Sequence, residues 1–228
     1  MSAPPNPLVV AIDTSDLEAA AALSAALAGA VGMVKVGLEL FTAAGPSSVS
    51  RLTEHAPVFL DLKLHDIPTT VGRAARNAGR LGAAMLTVHA LGGPEMVRAA
   101  VDGAAEGAKG VGTAPPQVVA VTVLSSLAEA AGASPASLAF EAVTAGARGA
   151  VVSGDDVKDV REALGQDPLL VVPGIRPSGA RSNDHARVLT PSEAMAAGAD
   201  RLVVGRPITE STDPAAAARA ILEEIGLR

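Results

Sequence analysis

In the stretch FLDLKLHDIP, residues 59 to 68, Asp61, Lys63 and Asp66 set three ionisable groups among residues otherwise suited to a core strand. Asp61 and Lys63 are two apart, so on a regular strand both side chains leave the same face and their charges can pair. A lysine flanked by carboxylates keeps its proton at neutral pH, because nearby negative charge favours the ammonium. Lys63 therefore reads as a charged acid able to donate a proton, not as a neutral nucleophile. An ion pair buried only for the fold would contribute little, since desolvation offsets the Coulomb attraction. A chemical use is the better explanation.

Lysine usage sharpens this. The chain has 14 Arg and only 4 Lys, yet Lys35 and Lys63 both lie in or at the end of strand-like runs. An ammonium can release its proton and a guanidinium effectively cannot, which suits Lys to proton donation or to Schiff-base chemistry. Other polar residues end the remaining apolar runs: Asp13, His89, Ser125 or Ser126, Ser153, Arg176 and Arg206. In VVGRPIT, residues 203 to 209, Gly205 leaves room for an anion to approach backbone N–H groups at a helix start, and Arg206 can add a charge-assisted contact. A phosphate group fits that pairing. The four His residues, 55, 65, 89 and 185, show no metal-ligand spacing. His55 reads as a surface helix residue and His65 as support for a strand end.

The elements that must position these groups are legible as an alternation. Apolar, β-branched runs at LVVAID, GMVKVGL, VFLDLKL, AMLTVHA, QVVAVTVL, GAVVS, LLVVPGI and DRLVVGR are separated by Ala-rich or polar segments, several of helical period. The runs are continuous rather than alternating, as expected for parallel strands covered by helices on one side and a core on the other. Eight βα units in 228 residues predict an α/β fold, a closed (β/α)8 TIM barrel forming a single domain over residues 1 to 228. An open doubly wound sheet is the alternative, though no G-x-G-x-x-G turn supports it. In a barrel the strands' C-terminal ends form the active face, and the polar residues above cluster there. The polar segment 176 to 191, after the seventh strand, is long enough to cover a site. At the end of the chain, Asp213 and Pro214 are placed to start a last helix.

Composition narrows the function classes. A net charge of −6 and the absence of a basic stripe argue against a nucleic-acid partner. With no Cys, disulfides and thiolate metal sites are excluded. No run reaches the roughly 18 apolar residues of a membrane span, and MSAPPNP is no signal peptide. A cytoplasmic location with no membrane partner is expected.

DLKLHDIPTTV, residues 61 to 71, resembles the signature D-x-K-x-x-D-I-P-x-T of the orotidine 5′-phosphate decarboxylase family. AIDTSD, VKVGLEL, VTVLSS, VPGIRP and VVGRPIT follow in that family's order, so the resemblance covers essentially the whole chain. It implies conversion of orotidine 5′-phosphate to uridine 5′-phosphate and carbon dioxide on a TIM barrel, with no cofactor and no metal. Lys63 is then the proton donor in an alternating array of Lys35, Asp61, Lys63 and Asp66. Asp13 and Lys35 would hold the ribose hydroxyls, and Ser125 would contact the pyrimidine. Arg176, Gly205 and Arg206 would surround the phosphate and the covering segment. Asp66, Ile67 and Thr70 would reach into a neighbouring subunit's site, making the active unit a homodimer. The family's covering segment carries a Gln nine residues after the Arg of PGIR; His185 stands there, an imidazole that titrates near neutral pH.

Other readings share parts of this pattern. A magnesium-dependent sugar-phosphate decarboxylase of the same superfamily carries D-x-K-x-x-D, but D-I-P and PGIRP favour the nucleotide enzyme. A Schiff-base aldolase on Lys35 or Lys63 is disfavoured by the flanking carboxylates. A non-catalytic barrel that binds phosphorylated metabolites is a further alternative, against which the complete Lys and Asp array argues.

Overall fold

The computed structural model describes residues 6–123, 134–177 and 189–227. Within them run eight strands: β1 (Leu8–Ile12), β2 (Met33–Val36), β3 (Val58–Leu64), β4 (Met85–His89), β5 (Gln117–Val121), β6 (Gly149–Val151), β7 (Leu169–Val172) and β8 (Arg201–Val204). All are parallel and pair in chain order, and β8 returns to pair with β1, Val9 opposite Val203. That pairing closes a (β/α)8 TIM barrel and removes the open-sheet alternative. Each of the eight apolar runs of the sequence contains one of these strands.

The helices that cover the barrel begin where their sequences supply caps. In α1 (Leu17–Ala26) the Asp16 carboxylate accepts from the Glu18 and Ala19 amides at 2.9 and 3.1 Å. The succeeding helices are α2 (Leu38–Ala44), α3 (Pro46–Thr53), α4 (Pro68–Arg80), α5 (Gly93–Val111), α6 (Pro135–Thr144), α7 (Val157–Leu164), α8 (Pro191–Ala197), α9 (Arg206–Thr209) and α10 (Pro214–Glu224). Asp213 caps α10 as expected, accepting from the Ala216 amide at 2.9 Å. Thr190 and Glu193 form a reciprocal capping box on α8.

Two cores result. Between barrel and helices lies a layer built largely of Val, Leu and Ala; inside the barrel Val9, Ala11, Phe59, Met85, Val119, Val171 and Val203 pack into a solid plug. The plug leaves no through-channel and forces any ligand onto one end. Helices α4 and α5, which follow β3 and β4, pack backbone to backbone: a methyl on Gly103 would overlap the Gly72 carbonyl, and one on Gly107 the Arg76 carbonyl. Glycine weakens a helix interior by roughly 0.5–1 kcal/mol relative to Ala; here the close approach requires it. Arg76 and Glu106 add an ion pair across the same seam. The two strands that carry the charged motif and its neighbour are thereby held in fixed relation.

At the opposite end of the barrel, the buried guanidinium of Arg161 ties together the turns entering β7 and β8. It donates to the carbonyls of Gly165 (2.7 Å), Pro168 (2.8 Å) and Gly198 (2.8 Å) and to the Asp200 carboxylate (2.5 Å). Asp200 in turn accepts from the Leu170 amide at 2.8 Å. All these partners lie at strand beginnings, far from the C-terminal rim, so Arg161 serves stability and not chemistry.

Candidate active site

At the C-terminal rim, β2 and β3 bring Lys35, Asp61 and Lys63 together. Lys63 Nζ lies 2.8 Å from Asp61 Oδ2, and Lys35 Nζ lies 3.8 Å from the same oxygen and 3.2 Å from Asp13 Oδ1. The four side chains form a continuous line, Asp13, Lys35, Asp61, Lys63, of alternating sign. Lys35 and Asp61 are mostly buried while Asp13 stands at the edge. Gly37 makes room for the line: a Cβ there would sit 3.0 Å from Lys35 Nζ and 3.4 Å from Asp13 Oδ1.

The expected Asp61–Lys63 pairing is present, but regular strand alternation is not what delivers it. Leu60 pairs with Leu86 and Leu64 with Val88, so β3 spends Asp61, Leu62 and Lys63 where β4 spends only Thr87. Lys63 takes up the surplus with φ of 51°, the one non-glycine residue with positive φ among the described residues. A side chain in this left-handed region costs about 1–2 kcal/mol. Bulges and such outliers concentrate where a side chain must be re-aimed. Here Lys63 is turned over the barrel mouth.

That mouth is a pocket open to solvent, with Lys35, Asp61, Lys63 and Ser153 on its polar side. Phe59, Val121, Val151, Val171 and Val203 form an apolar floor and wall. Apolar surroundings strengthen every charge interaction at the rim, because fewer water dipoles screen it. The pocket thus offers one apolar face and one strongly charged edge.

Asp66 lies apart from this line. It is exposed, and its carboxylate accepts from the Ile67 amide at 2.6 Å. Ile67 is 65% exposed and Thr70 is also exposed, so this corner of the rim points away from the chain's own cavity. Arg176 is partly buried after β7, its amide donating to the Leu189 carbonyl at 3.1 Å. Gly205 follows β8 as the N-cap of α9, with open space beside it, the nearest atom to a built Cβ being the Ala11 methyl at 3.9 Å. Arg206 follows, exposed. Ser125, Ser126 and His185 lie outside the described residues. Sequence reasoning missed Thr87, Gly37 and the apolar wall. Thr87 carried a readable signal, since it stands two before His89 in AMLTVHA and so shares its inward face.

His89 ends β4 and stacks on His65, ring centroids 5.3 Å apart. Its Nδ1 is buried with no hydrogen-bond partner among the described residues. Burial, then the His65 and Lys63 charges, push its pKa below the ordinary 6.5, with Asp61 opposing. His89 is therefore neutral at pH 7 in the fold. Below pH 6.5 the unfolded chain takes up this proton first, so the unfolded state binds more protons and stability falls as pH drops toward the folded value. Urea unfolding from pH 7.5 to 5.5 should show this decline, and His89→Gln should make it shallower; an unchanged slope would remove His89 as its source.

Comparison with known proteins places the chain. A sequence model described as the orotidine 5′-phosphate decarboxylase / HUMPS family matches residues 6–221. The orotidine 5′-phosphate decarboxylase of Anaeromyxobacter dehalogenans is 53% identical, the alignment covering 96% of this chain and 97% of that protein. That of Thermobifida fusca is 49% identical over 96% and 95%. Among solved structures, the orotidine 5′-phosphate decarboxylase of Lactobacillus acidophilus superposes with a TM-score of 0.83 at 38% identity, covering 96% of this chain and 99% of that one. An uncharacterized conserved protein from Geobacillus kaustophilus gives 0.82 at 34%. Among the described residues, no helix is long and apolar enough to cross a membrane. With barrel, rim charges and full-length similarity in agreement, the chain belongs to the orotidine 5′-phosphate decarboxylase / HUMPS family.

Proposed function

We propose that the whole chain acts as one catalytic domain that converts orotidine 5′-phosphate to uridine 5′-phosphate and carbon dioxide, the last step of de novo UMP synthesis, without a cofactor. The observation that carries this reading is the Lys63 ammonium, held 2.8 Å from Asp61 over an apolar-walled cavity. Loss of carbon dioxide breaks the bond from C6 to the carboxylate carbon and leaves the electron pair on C6 of the pyrimidine. Lys63 stabilises that developing carbanion by its charge and then transfers a proton to C6; solvent reprotonates the amine. The ion pairs fix the charge in advance, so little reorganisation is needed during reaction. Asp61 lies beside the substrate carboxylate in this arrangement. Asp13 and Lys35 hold the ribose hydroxyls, Ser125 meets the pyrimidine, and Arg176, Gly205 and Arg206 take the phosphate with His185 from the covering segment. Phosphate binding remote from C6 lets binding energy be expressed in the transition state.

The active unit of this proposal is a homodimer, in which Asp66, Ile67 and Thr70 of one protomer complete the other's site. Exposed apolar side chains at the ends of three consecutive strands support it: Leu38 (55% exposed), Ile67 (65%) and Leu91 (46%). The compartment this reading assigns is the cytoplasm.

The test is direct. Purified protein with EDTA should remove the ultraviolet absorbance that distinguishes orotidine 5′-phosphate from uridine 5′-phosphate. No loss of absorbance, with or without magnesium, would overturn this reading; magnesium-dependent turnover of a sugar phosphate would then assign the chain to the superfamily's metal-dependent branch, and no turnover of either substrate to a binding barrel.

A further inference from the structure

We propose that Thr87 is a positioning residue for the Asp61–Lys63 pair, its hydroxyl acting as the strut that holds the β3 bulge in its productive shape. The inference rests on the decarboxylase reading above. Thr87 is completely buried on β4, opposite the three residues that β3 bulges out. Its Oγ1 accepts from the Lys63 amide at 2.8 Å and its hydroxyl donates to Asp61 Oδ1 at 3.0 Å. Both bonds go to the motif.

The bulge creates a particular need that this hydroxyl meets. With Lys63 turned to φ of 51°, its amide has left the regular ladder, and a buried amide without a partner costs about 1–3 kcal/mol. The same hydroxyl also pins one carboxylate oxygen of Asp61, leaving the other for Lys63 at 2.8 Å and Lys35 at 3.8 Å. One oxygen atom thus sets both the backbone turn that aims Lys63 and the orientation of the carboxylate it pairs with. A valine has the shape of threonine and neither bond.

The variants Thr87→Val and Thr87→Ser separate this role from packing. With the Val variant, kcat for orotidine 5′-phosphate should fall about 10–100-fold, the loss that follows removal of a hydrogen bond behind a metal ligand taken as the guide for this charged pair, while KM moves by less than about threefold. Ser keeps the hydroxyl and should retain kcat within about threefold of wild type. The charged groups facing the Asp61 carboxylate, Lys35 from β2 and Lys63 from β3, stay in place in each variant. Should the Val variant fail to fold, Thr87→Ala carries the same expectation. Wild-type kcat in the hydroxyl-free variant, or a Ser variant as impaired as Val, overturns the role of Thr87 alone. Absence of turnover in the unsubstituted protein overturns the decarboxylase reading, and this inference with it.

Discussion

Replacing Lys63 with alanine is expected to lower kcat for orotidine 5′-phosphate by about 10⁴-fold or more, since one change removes both the charge that stabilises the carbanion and the acid that protonates it. The fold should tolerate it. Lys63 already sits at φ of 51°, so alanine inherits the same backbone strain and adds none, and its side chain is about one-third exposed. Asp61 loses its 2.8 Å partner but keeps Lys35 at 3.8 Å and the Thr87 hydroxyl at 3.0 Å. Thermal unfolding and uridine 5′-phosphate binding should therefore survive while turnover does not. Lys63→Arg should fail nearly as badly, because a guanidinium keeps the positive charge and effectively never gives up its proton. An alanine variant retaining even a tenth of wild-type kcat would end the assignment of Lys63 as the acid.

Mixing two inactive variants should restore activity. In the proposed dimer each site takes Lys63 from one protomer and Asp66 from the other, so Lys63→Ala and Asp66→Asn damage different halves of a site. A mixed dimer then contains one doubly damaged site and one intact site. With random exchange of subunits half of the dimers are mixed, and the mixture should show about a quarter of wild-type activity per site. Asn can still accept from the Ile67 amide, as Asp66 does at 2.6 Å, so the local turn is kept. Gel filtration with light scattering measures the mass, and the absorbance assay measures recovery. A mixture no more active than its parents, in a protein shown to exchange subunits, would mean that each chain works alone.

How much was legible in the residues follows from what each inference depended on. Strand order, eightfold closure and the capped helices rest on local patterns, in which apolar runs and Asp or Thr caps announce themselves within a few positions. The alternation of βα units leaves few topologies to choose from. Lys35, Asp61 and Lys63 were legible too, because charge inside an apolar run is costly and invites a chemical explanation. Their meeting at one rim required only that the strands be parallel.

Other features depend on pairings across strands. That Asp61 and Lys63 pair through a bulge and a left-handed turn, not through strand alternation, is decided by how β4 meets β3, with Thr87 alone facing three residues. The same contact turned an inconspicuous threonine in AMLTVHA into the support of the charged pair. Gly103 and Gly107 look like helix-weakening choices until the carbonyls of Gly72 and Arg76 arrive against them. Asp66 reads in sequence as a third member of one cluster, yet the turn after β3 carries it outward to bond the Ile67 amide. The sequence by itself determined the barrel and the chemical identity of the rim charges, because periodicity and the cost of buried charge are properties of neighbouring residues. Only the tertiary structure decided how those charges are aimed, because direction at a bulge is set by hydrogen bonds to a strand 24 residues away in the chain.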